Sequence, residues 1–125
     1  MNEPGRRTDA GLSAAAFAVA LAAALAFLHR YPLPVPKFDA VMYYRLAHNV
    51  AAGKGFSIDG VHPYVAFPPL FSSLLGIWFR LAGDSVFSAA IFQSLVHALS
   101  AAAAYLLFRA MPCAPRLSFF LAFVV

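Results

Sequence analysis

The residues best suited to chemistry lie between two long apolar runs, in the stretch from Tyr31 to Phe67. Asp39 is followed by Tyr43, Tyr44 and Arg45, then by Gly53 and Gly55, then by His62, Tyr64 and the Pro68-Pro69-Leu70 turn. A carboxylate flanked by aromatics at a membrane boundary can take a proton from a hydroxyl, or hold a cation beside a phosphate leaving group. The same residues also have a purely structural reading. Asp39 is then a helix N-cap, Tyr43 and Tyr44 are interface anchors, and the prolines punctuate the chain. Arg45, Lys54 and His62 are cations that could meet a phosphate or simply stand in water. Gly53-Lys54-Gly55 is turn chemistry without the remainder of a phosphate-binding loop. Further on, Gln93, His97 and Ser100 recur at helical spacing, with Ser94 nearby. Inside an apolar helix such residues point to interhelical hydrogen bonds or to a proton path. No metal site is assigned, and the cofactor stays open, with a divalent cation as one option. Cys113 is the only cysteine, so no disulfide forms within the chain.

The elements that must position these residues are set by composition. Hydrophobic residues make up 62% of the 125 residues and charged ones 11%. Soluble domains carry roughly 45–50% and about 25%. Such a chain reads as an all-α integral membrane protein, because backbone in hydrocarbon must satisfy its own hydrogen bonds. The formal charge of +4 is spread thinly, with Arg6-Arg7 the only adjacent basic pair, so no nucleic-acid surface is expected. Three full membrane helices are expected at about 11–29, 64–82 and 86–108, with a fourth cut short at 117–125. The chain accordingly reads as the N-terminal piece of a polytopic protein. A cleaved signal peptide is the rival reading of the first run, since Arg6-Arg7 precede it and Ala24-Leu25-Ala26 offers a cleavage site.

The first loop, about 30–63, opens on Tyr31 to Lys37, whose alternating prolines end the helix. Ala40 to Ala52 follows as a short amphipathic helix suited to the interface, capped by Asp39 and stopped by Gly53. Tyr43, Leu46, Ala47 and Val50 share one face, and Arg45, His48 and Asn49 favour another. With the N-terminus in the cytoplasm, three crossings leave Arg6, Arg7 and Arg80 inside. Arg30, Lys37, Arg45, Lys54, Arg109 and Arg116 then lie outside, against the positive-inside rule.

The ordered set F-D-A-V-M-Y-Y-R-L-A, G-K-G-F and F-P-P-L-F-S-S-L-L, following one transmembrane helix, resembles the GT-C membrane glycosyltransferases. Within that class it is most similar to the bacterial branch related to protein mannosyltransferases and lipid A aminoarabinose transferases. The resemblance runs from about Gly11 to Phe108. It implies a single GT-C-like membrane domain in a multi-pass protein of the bacterial inner membrane. It also implies transfer of a sugar from a polyprenyl-phosphate donor in the lipid bilayer to an extracytoplasmic acceptor. Asp39 matches the acidic residue of the family's first loop, as base or cation ligand, although Ala40 stands where many members have a second acid. Tyr43 matches the aromatic four residues on, and Pro68-Pro69 match the proline pair. Asp39 is therefore the expected catalytic residue, with Tyr43, Arg45, His62 and Tyr64 expected to bind substrate. A non-catalytic membrane protein, either a transporter or an assembly subunit, is the alternative.

Overall fold

The structure is a computed structural model; it describes residues 4–30 and 38–110, with side chains from residue 9 onward. Four helices follow one another: α1 (Pro4–Arg30), α2 (Asp39–Ala51), α3 (Pro69–Ala82) and α4 (Val86–Ala110). Among the described residues there is no strand, only an isolated antiparallel bridge between Ser57 and Pro63. The all-α reading is therefore correct.

The number of membrane crossings is not. Two helices are long and apolar enough to cross a bilayer: Asp9–Arg30 within α1, of 22 residues, and α4, of 25 residues. At about 1.5 Å per residue each exceeds the roughly 30 Å of a hydrocarbon core. The expected span at 64–82 is overturned, because α3 has only 14 residues and rises about 21 Å. Its ends explain the shortfall. Pro68 and Pro69 hold the residues before them out of the helical region, so the helix starts only at Pro69, the first helical position. At the other end Gly83 adopts φ 91° and stops it. The expected fourth segment, 117–125, lies outside the described residues.

The chain divides into two compact units, Met1–Tyr31 with Gln93–Val125, and Pro32–Phe92. In the first, α1 and the body of α4 run antiparallel. Ser13 Oγ donates to the Ala102 carbonyl at 3.4 Å, Ala16 is buried with Tyr105, and Ala20 with Ala98 and Ala101. Alanine keeps side chains short at the seam, so the two backbones come close. At one end Arg109 Nε donates to Asp9 Oδ1 at 2.9 Å, and Tyr105 Oη donates to the same oxygen at 3.3 Å.

In the second unit α2 packs on α3 around buried Ala47, Leu75 and Phe79. Burying a leucine or phenylalanine side chain contributes about 1.5–3 kcal/mol. The contact is tightest at Gly76. A Cβ there would lie 2.7 Å from Val50 Cγ1 and 2.8 Å from the Ala47 carbonyl oxygen. Trp78 Nε1 donates to Ser88 Oγ at 2.9 Å, joining α3 to the first turn of α4. That turn is capped by Ser85, whose Oγ accepts from the Ser88 N–H at 3.0 Å.

Candidate functional site

The Phe38–Ser85 stretch holds every residue expected to do chemistry, and α2 is its frame. The helix covers Asp39–Ala51, one residue earlier than expected. Asp39 is not its N-cap. Phe38 occupies that position with φ 49°, a conformation costly for a side chain of this size. Asp39 instead opens the first turn, exposed, where the helix dipole favours a negative charge. It has no hydrogen-bond or ionic partner among the described residues. The C-terminus closes as anticipated at Gly53. With φ 76°, it lets its own N–H reach the Val50 carbonyl and that of Lys54 reach Asn49, at 3.1 and 2.8 Å. These are the paired bonds of a Schellman ending.

One turn beyond Asp39, Tyr43 meets the aromatics that lead into the proline pair. Its ring stands edge-on to Phe67 at 4.9 Å and to Phe71 at 5.6 Å. Tyr64 stacks on the other side of the group, 5.9 Å from Phe67. Two expected substrate-binding residues are therefore brought together through Phe67. Edge-to-face and offset contacts of this kind fix ring orientation as well as burying area.

His62 is engaged differently. Its Nδ1 donates to Asp59 Oδ2 at 2.7 Å, while the N–H groups of Val61 and His62 both donate to Asp59 Oδ1 at 2.9 Å. These bonds, the His62 side chain first among them, hold the Asp59 carboxyl far below the usual carboxylate range. Arg45 is exposed on α2, with no hydrogen-bond or ionic partner among the described residues. No group of three His, Cys, Asp or Glu side chains converges as a metal site among the described residues.

Sequence reading missed two features that build this region. Asn49, expected on the polar face, is buried. Its Nδ2 donates to the Ser57 and Ile58 carbonyls at 2.8 and 3.0 Å, which pins the loop onto α2. Asp84, read only as part of a tight connection, accepts a hydrogen bond from Tyr44 Oη at 2.6 Å and pairs with His48 Nδ1. Burial, and then the Asp84 carboxylate, push the Tyr44 phenol up to about 12. Tyr44 therefore stays protonated at neutral pH and remains a donor. A polar residue at a helical i+6 position from Tyr43 signals nothing locally, so neither contact had a sequence signature.

In α4, Ser100 donates back to the Val96 carbonyl at 2.9 Å, and Gln93 and His97 are exposed. The interhelical bonding expected of these three is not what Ser100 makes.

No protein-family profile matches the chain, and no characterised protein or solved structure matches it.

Proposed function

We propose that the chain contributes the donor-site region of a multi-pass membrane glycosyltransferase. The enzyme moves a sugar from a polyprenyl-phosphate donor to an acceptor on the extracytoplasmic face of a bacterial cell membrane. One observation carries the reading. Tyr43, Tyr64 and the Phe67-Pro68-Pro69 run gather beside the first turn of α2, and that turn presents an exposed, unpartnered Asp39. The two long apolar helices supply the lipid anchorage that a lipid-linked donor requires.

In this reading Asp39 takes the proton of the acceptor hydroxyl as its oxygen attacks the anomeric carbon. The bond from that carbon to the phosphate oxygen breaks, and polyprenyl phosphate leaves with the electron pair. Tyr43 and Tyr64 offer an aromatic surface to the sugar or the first isoprene unit. Arg45, and His62 through its outer nitrogen, meet the phosphate, where fixed positive charge lowers the barrier.

The test is Asp39→Asn in membranes carrying the intact protein, assayed with a panel of polyprenyl-phosphate sugars labelled in the sugar. Transfer should fall by about 10²–10⁴-fold, the contribution typical of a general base. Resistance to alkaline extraction should be unchanged. Undiminished transfer by a correctly inserted variant removes Asp39 from the mechanism. A transporter or assembly subunit is the competing reading, favoured by exposed Gln93 and His97 within a candidate span. It predicts no label transfer from any donor in the panel.

A further inference from the structure

α3 is apolar on two faces. One, with Leu75, Gly76 and Phe79, is buried against α2. The other carries Leu70, Leu74, Ile77 and Leu81, spaced by four, three and four residues, so they form one stripe along the helix. Their exposures are 71, 46, 53 and 80%. Large apolar side chains in a continuous exposed row mark a surface that something covers.

We infer that this stripe is seated in the lipid interface, with α3 lying in the membrane plane and the whole Phe38–Ser85 stretch held on one face of the bilayer. Three observations identify lipid as the occupant. α3 is too short to cross, yet only Gly83-Asp84-Ser85 separate it from α4, a candidate span. Its C-terminal end is therefore tethered at the membrane surface. The apolar row also continues into exposed Val86 and Phe87 on the first turn of α4, where a spanning helix enters lipid. Arg80 is exposed beside the row, placed to reach headgroup phosphates while its stem stays in the apolar layer.

The first unit supports the same sidedness independently. Asp9 pairs with Arg109, so the start of α1 and the end of α4 share one end of an antiparallel hairpin. An antiparallel pair of spans allows no net crossing between Arg30 and Val86. It also brings Arg6 and Arg7 to the same side as Arg109, which relieves the charge conflict that three crossings create. This inference does not rest on the glycosyltransferase reading.

The test uses the full chain with Cys113→Ser, reconstituted in vesicles of phosphatidylethanolamine and phosphatidylglycerol. Nitroxide labels are placed singly at Leu70→Cys, Leu74→Cys, Ile77→Cys and Leu81→Cys. Collision with oxygen and with a water-soluble nickel chelate gives the depth of each label. All four are expected at one shallow depth below the headgroups. A depth that changes steadily from the first to the last, by roughly 16 Å, would mean α3 runs across the bilayer and overturns the proposal. Labels shielded from both reagents would mean that protein, such as a second copy, covers the stripe. Labels open to nickel alone would place it in water. Either result also overturns it.

Discussion

Asp59 shows how one carboxylate organises a turn. It accepts two backbone N–H groups and the His62 ring, the pattern by which aspartate stabilises turns at its own chain position. Its carboxyl is held below its unfolded value, so its contribution to order is present above the unfolded value and lost as the pH falls through the folded one. The Val61 and His62 amide resonances should hold their positions as pH drops through about 4, the ordinary aspartate value, and shift only in more acid solution. A titration midpoint at the ordinary value would mean that the turn does not form in solution. Asp39 is the contrasting case. It has no partner to perturb it, and its availability is what fits it for the base proposed above. The Asp39→Asn prediction belongs to this scale for the same reason, since the exchange removes a charge without removing a contact. Asp39's position in the loop was legible because it stands between a proline run and a helix. Its partnerless state was not legible, because an N-cap and a free carboxylate look alike in sequence.

Among the elements, α2 and α3 depend on a close approach at Gly76. Gly76→Ala places a methyl within 2.8 Å of the Ala47 carbonyl oxygen, a backbone atom that cannot rotate away. The helices must separate, at a cost of about 1–3 kcal/mol. Thermal unfolding followed by Trp78 fluorescence checks this, since the chain has a single tryptophan and it lies on α3. An unchanged midpoint would show that the helices do not meet there. The same element shows where hydrophobicity misleads. The run from Tyr64 to Ala82 is apolar enough to read as a span, yet its helix is bounded by Pro68-Pro69 and Gly83. Composition reports what a segment is compatible with, while backbone restrictions decide how much of it is helical. The Gly53 stop and the proline start were readable because they act through φ and missing donors, which are local. The Tyr44–Asp84 and His48–Asp84 contacts join residues 40 and 36 positions apart, and no local rule reaches that far.

For the molecule as a whole, the hairpin of α1 and α4 rests on an alanine seam closed by Asp9 and Arg109. If that ion pair helps to set the register, Asp9→Asn and Arg109→Gln should couple in a double-mutant cycle by about 0.2–1 kcal/mol, the range for partly exposed pairs. Unfolding in detergent micelles measures it, and strictly additive effects would show that the pair contributes nothing. The amino-acid sequence by itself determined an all-helical chain, two long apolar helices, and a polar, aromatic connection with its turns. These follow from side-chain hydropathy and from glycine and proline geometry, which act over a few residues. Only the tertiary structure decided the number of candidate spans, the antiparallel pairing of α1 with α4, and the burial of Asn49. It alone also set Tyr43 and Tyr64 on Phe67. Each of these depends on which side chains find one another across tens of residues, and packing settles that where periodicity cannot.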